Sequence, residues 1–190
     1  MTSVTRFGLT GGIGSGKSVC SRYLAQHGFD VVDADQLTGD AYIVAHDDLV
    51  RAFGDDIMLP DRQIDRKRLG LVVFSDAAQL ATLNAIMRPV MRALAAARIQ
   101  AAPRRVVLDA ALLFEADWQD LVERSVVVVA PEPARIARII ARDHTTRERA
   151  VQRLRAQFTD AERLRRADAV LYNVGDLELV YRQIDRIFGL

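Results

Sequence analysis

Arg6-Phe7-Gly8-Leu9-Thr10-Gly11-Gly12-Ile13-Gly14-Ser15-Gly16-Lys17-Ser18 runs from a short apolar segment into a glycine-rich turn, and Lys17-Ser18 opens a stretch with helical spacing. Gly11, four intervening residues and then Gly16-Lys17-Ser18 is the spacing of a phosphate-binding P-loop. Glycines lack a Cβ and tolerate positive φ, so consecutive backbone N–H groups can turn inward around phosphate oxygens. The helix behind the turn adds its unpaired amides and the positive end of its dipole. Residues Gly12, Ile13, Gly14, Ser15, Gly16, Lys17 and Ser18 are therefore expected to bind the nucleotide. Lys17 would reach the β- and γ-phosphates, and the Ser18 hydroxyl would ligate Mg²⁺.

With 190 residues, half of them hydrophobic, the chain is long enough for one well-buried core with small inserted lobes. Its formal charge of +1 gives no argument for nucleic acid or an anionic membrane as partner. Lysine occurs only at Lys17 and Lys67, every other long cationic side chain being arginine. The single cysteine, Cys20, falls one turn into the first helix, cannot form an internal disulfide, and is expected to be a small buried residue. Met1-Thr2-Ser3 leads to the first strand without a basic-then-apolar leader, and no apolar run approaches membrane-spanning length. A cytoplasmic location without membrane association is expected, and nothing calls for an obligate protein partner.

Apolar periodicity predicts a strand over 6–10, a helix over 17–27 stopped by Gly28, and a second strand over 29–35 that ends on Asp33 and Asp35. Strand, helix and strand imply a parallel pair, and ligands bind beyond the carboxyl ends of such strands. Asp33 and Asp35 are therefore expected to face the crevice beside the phosphate loop, unless they cap the helical segment that begins at Gln36. Residues 36–102 read as mostly helical. Their longest run, 75–102, has Ser75-Asp76 as cap and Leu80, Leu83, Ile86 and Met87 on one face, and Pro89 is expected to kink or split it. A third strand closes on Asp109, which would serve either in the outer coordination sphere of Mg²⁺ or as a loop cap. The 125–130 stretch, with its unbroken Val126–Val129 run, reads as a fourth strand buried on both faces, and 168–172 as a fifth. The arginine-rich helical stretch 133–167 is diluted by acids, so most of its cations are expected on solvated faces. Arg138 and Arg142, four apart, would share one face and meet phosphate. Trp118, Phe114 and Tyr42 are expected in the core rather than in a site.

The expected fold is α/β, a P-loop nucleoside-triphosphate-hydrolase-like three-layer arrangement with a five-stranded parallel sheet, formed as a single domain over 1–190. Its core would take about 1–35, 103–130 and 167–190, a helical acceptor-binding insertion about 36–102, and an arginine-bearing lid about 131–166. Neither Asn84 nor Asn173 is followed by lysine, so the base-reading motif of a guanine-specific switch is missing, as is the Ser-Gly-Gly signature of a transporter ATPase. A small-molecule kinase remains, whether for a nucleoside, a sugar or another alcohol, with a non-catalytic nucleotide switch as the alternative.

The phosphate loop followed by Val32-Asp33-Ala34-Asp35 closely resembles dephospho-CoA kinases. The resemblance continues through Asp65-Arg66, Val73-Phe74, Leu83-Asn84-Ala85-Ile86, Leu112-Leu113-Phe114-Glu115, Arg138, Arg142-Asp143, the 153–157 segment, Ala167-Asp168 and Asn173-Val174-Gly175. It implies ATP-dependent phosphorylation of the ribose 3′-hydroxyl of dephospho-CoA, with ATP and dephospho-CoA as substrates and Mg²⁺ as cofactor. On this reading Asp35 is the base, Asp33 orients it or touches the metal shell, and Lys17, Arg138 and Arg142 neutralise the transferring phosphoryl group. Asp33, Arg66 and Arg88 fall on the acceptor side, and Asn173 and Gly175 on the adenine side. The chain departs from the family at Arg88-Pro89, usually His-Pro, at Ala111, usually proline, and after Asp40, where a Glu-Pro-Gly is missing.

Overall fold

The protein is described by a computed structural model over residues 6–190. The reading of the N-terminus as leaderless, and the first five residues assigned to the core, lie outside the described residues.

Strands β1 (Arg6–Thr10), β2 (Asp30–Asp33), β3 (Val106–Asp109), β4 (Arg124–Val129) and β5 (Ala169–Tyr172) form one sheet in the order β2-β3-β1-β4-β5. Every pairing is parallel. The protein is therefore α/β, as expected. Central placement explains the composition of β4: Val126, Val127 and Val128 are fully buried, because a parallel strand is covered on both faces.

Two compact units divide the chain. The first takes 6–33 and Ile99–Leu190, the second Ala34–Arg98. In the first, helices α1 (Lys17–Gln26) and α9 (Leu177–Phe188) bury Cys20, Leu24, Val180, Ile184 and Phe188 against Phe7, Leu9, Val107, Val126 and Val128 of the sheet. Phe188 packs on Phe7 with its ring tilted by 47° and the centroids 4.6 Å apart, and meets Phe29 edge-on at 5.7 Å. The guanidinium of Arg105 lies over the Phe29 ring at 4.5 Å and donates to the carbonyls of Phe188 and Gly189, satisfying the last turn of α9. Helices α6 (Glu132–Asp143), α7 (Arg147–Arg155) and α8 (Asp160–Arg166) complete this unit.

The second unit holds helices α2 (Leu37–Val44), α3 (His46–Phe53) and α4 (Arg66–Phe74) and most of α5 (Ala77–Ala101). Leu80, Leu83, Ile86 and Met87 of α5 pack on Leu49, Ile57, Leu69 and Val73, the face that their spacing predicted. Asp76 caps α5 through the amide of Ala78 at 2.8 Å.

Two boundaries differ from expectation. Of the kink or split expected at Pro89, the split does not occur, since α5 continues through it. Pro89 and Ala85 both lie on its exposed side, so water can satisfy the carbonyl that proline leaves without a donor. Strand β2 stops at Asp33 rather than Asp35, because its register partner Asp109 is the last residue of β3 and nothing remains beyond it to pair with.

Phe188→Ala should cost about 3–5 kcal/mol, the range for removing a buried aromatic ring. Equilibrium urea unfolding checks this, and an unchanged midpoint would contradict the packing described.

Candidate active site

The loop after β1 takes a conformation that only glycine enters cheaply. Gly14 has φ 78° and Gly16 φ 94°, in the left-handed region. A Cβ at Gly14 would meet the Arg135 carbonyl oxygen at 2.7 Å, and one at Gly16 would strike the side-chain amide of Asn173. Gly16 caps α1 with no side chain over the helix end. The first amides of that helix, on Lys17 and Ser18, therefore lack an intrahelical acceptor.

The loop is held from behind by side chains. Arg135 Nε donates to the Ile13 carbonyl at 3.0 Å, and Arg138 Nη1 donates to those of Gly14 and Ser15 at 3.1 and 3.3 Å. Asn173 Nδ2 donates to the Ser15 carbonyl at 2.8 Å, and Gln157 Oε1 accepts from the Ile13 amide at 2.9 Å. In a trans peptide the C=O and the following N–H point in opposite directions. Capturing the Ile13 and Ser15 carbonyls on one side therefore turns the Gly14 and Gly16 amides to the other. The Ser15 hydroxyl is buried and has no partner among the described residues. This is an anion cradle built from backbone dipoles.

The sheet register brings the acids into place. Asp109 pairs with Leu9 of β1 on one side and with Asp33 of β2 on the other, so both carboxylates leave the sheet at the same level. Lys17 forms an ion pair with Asp109, which is 7% exposed. Ser18, the second residue of α1, is exposed. Mg²⁺ dehydrates reluctantly and takes few protein ligands besides phosphate oxygens, so an exposed hydroxyl at the head of α1 suits it.

The other expected residues have different surroundings. Asn173 is buried and both ends of its side-chain amide bond within the site, to the Ser15 carbonyl and, at 3.4 Å, to Arg138. Gly175, at φ 113°, shapes the turn into α9. Arg142 does not join Arg138 at the loop. Its guanidinium pairs with Asp143 at 2.7 Å, which raises its own pKa and holds the Asp143 carboxyl below the usual range, and Asp143 also accepts from Arg153 at 2.5 Å. Asp35 lies exposed in the turn after β2. In the second unit, Arg66 stacks over Tyr42 at 4.8 Å, and Arg88 is exposed on α5. Phe114 and Trp118 belong to the core, as expected.

Most arginines of the 133–167 stretch lie on solvated faces, as expected, and Arg135 and Arg163 are the buried exceptions, which the sequence did not single out. Arg135 is 6% exposed and takes both oxygens of Asp160, at 2.9 and 3.0 Å. Arg163 is wholly buried against Glu115 at 2.6 Å. The signal was Glu115 itself: a carboxylate closing the apolar run Leu112-Leu113-Phe114 needs a buried cation.

A parallel sheet with this strand order, carrying such a loop at the head of α1, defines a P-loop kinase. The same fold appears in the shikimate kinase of Acinetobacter baumannii in complex with shikimate, with TM-score 0.58 and 16% identity over 98% of this chain and 94% of that one. The family model for dephospho-CoA kinase (CoaE) matches residues 5–178, and the chain belongs to that family. It is 42% identical over 189 residues to the dephospho-CoA kinase of Geobacter sulfurreducens, covering 96% of both chains. Among solved structures it is similar to TT1252 from Thermus thermophilus, with TM-score 0.84 and 33% identity over 99% of this chain and 98% of that one.

Two outcomes follow from the loop. Gly16→Ala combines a left-handed residue, costing about 1–2 kcal/mol, with a clash on Asn173, so ATP affinity should fall by about tenfold or more in calorimetric titration. Burial, with Asp109 adding to it, pushes the Cys20 thiol up to about 12, so it should resist a disulfide reagent at neutral pH and react only on unfolding.

Proposed function

We propose that the chain transfers the γ-phosphoryl group of ATP to the ribose 3′-hydroxyl of dephospho-CoA, the last step of coenzyme A biosynthesis, as a cytoplasmic enzyme. The observation that carries the reading is the set of loop amides turned to one side by capture of their carbonyls on the other, in a chain of the dephospho-CoA kinase family. Among the described residues no helix is long and apolar enough to cross a membrane.

Phosphoryl transfer asks for alignment of the reacting oxygens and for neutralisation of charge spreading over the phosphoryl group. The amides of Gly14, Gly16, Lys17 and Ser18 bind the phosphate tail. Lys17, oriented by Asp109, supplies its ammonium to the β- and γ-phosphates. Arg138 adds positive charge at the loop while holding it. Ser18, with Asp33 or Asp109 behind it, would hold Mg²⁺, which when bound screens the phosphate charge. Asp35 accepts the proton of the acceptor hydroxyl as the new P–O bond forms and the bond to the ADP oxygen breaks. Asp33, Arg66 and Arg88 serve the acceptor, and Asn173 and Gly175 the adenine side. For Arg142 a phosphate role requires that it leave Asp143 first.

A positioned base contributes about 10²–10⁴ in rate, so Asp35→Asn should lower kcat by that order with ATP affinity nearly unchanged. Lys17→Ala should damage both. The decisive assay measures ADP release by the purified chain with dephospho-CoA, nucleosides or gluconate as acceptor, and locates the new phosphate by ³¹P NMR. Turnover with another acceptor and none with dephospho-CoA would overturn the reading, and wild-type turnover in Asp35→Asn would overturn the role of Asp35.

A further inference from the structure

Ile13, at the tip of the phosphate loop, is held at three points by residues that come from outside the loop. Its side chain packs on the small core of Ile136, Ile139 and Ala150 between α6 and α7. Its carbonyl accepts from Arg135 Nε at 3.0 Å, and its amide donates to Gln157 Oε1 at 2.9 Å. Gln157 lies in the turn between α7 and α8, and that turn is itself pinned. Glu115 Oε1 accepts from the Phe158 amide at 3.2 Å and from Arg163 at 2.6 Å, while Arg163 also donates to the Phe158 carbonyl. Arg163 is fully buried, so the pair cannot exchange its partners for water without opening the unit. Asp160, at the start of α8, fixes Arg135 in the same way.

We propose that Gln157 is a positioning residue for the phosphate loop, its turn held by the buried Glu115–Arg163 pair, so that the 131–166 segment sets the geometry of ATP binding as well as covering it. Gln157 acts through the Ile13 peptide. Its Oε1 holds the Gly12–Ile13 peptide, whose carbonyl accepts from the Ser15 amide at 3.0 Å; without that acceptor this peptide can rotate and the turn that carries the Gly14 amide loosens, with Arg135 left as the remaining hold on the Ile13 carbonyl. The turn between α7 and α8 is accordingly part of the nucleotide scaffold, fixed before any closure over the substrate.

The test compares Gln157→Met, which keeps the length and removes the acceptor, with Gln157→Glu, which keeps an acceptor oxygen. Backbone amide exchange at Ile13 is read by NMR and ATP Kd by calorimetry, neither requiring an acceptor substrate. In Gln157→Met the Ile13 amide should exchange about tenfold faster and ATP Kd should rise about three- to tenfold, the effect of one hydrogen bond. The thermal midpoint should stay within a few degrees of wild type. Gln157→Glu should restore the exchange protection. Wild-type exchange or a Kd within about twofold of wild type in Gln157→Met overturns the proposal, as does failure of Gln157→Glu to restore protection. Failure of the wild-type chain to phosphorylate dephospho-CoA would bear on the proposed reaction alone.

Discussion

A backbone loop that offers its amides to an anion cannot stabilise itself with the hydrogen bonds of a helix or strand. Its carbonyls need donors from elsewhere, and its peptides stay oriented only while those donors stay in place. Here the donors are Arg135, Arg138 and Asn173, and Gln157 is an acceptor. They come from α6, from the end of β5 and from the turn between α7 and α8. The phosphate loop therefore depends on elements more than a hundred residues away along the chain.

The sheet supplies the second half of the site. With β3 between β2 and β1, the last residues of two neighbouring strands, Asp33 and Asp109, end up abreast. Lys17, on the first turn of α1, pairs with Asp109 at the end of this row. The same crossovers that bury Val107 and Leu9 under α1 and α9 bring these polar ends to one edge. Catalytic placement and core formation are thus consequences of one topology.

Residues of one type in one segment meet different fates. Arg135 and Arg163 are enclosed by carboxylates, while Arg142 shares Asp143 with Arg153 at an exposed helix corner. An arginine can be buried when both partner and geometry are available, since its planar fork satisfies several acceptors at once. Which arginines receive such partners is decided by loops that arrive from elsewhere, such as the one carrying Glu115.

The sequence by itself determined the phosphate loop, the strands, the α/β class and the family. Glycine spacing, unbroken valine runs and Lys17-Ser18 are local signals, and local signals depend only on neighbours in the chain. It also placed Leu80, Leu83, Ile86 and Met87 on a buried face, because helical periodicity is local too. Only the tertiary structure decided that Arg135, Arg163 and Gln157 stand behind the loop, that Arg142 does not, and that α5 passes through Pro89 unbroken. Each of those depends on which distant side chain or solvent meets a given polar group, and side-chain hydrogen bonds between distant segments leave no period in the sequence from which to read them.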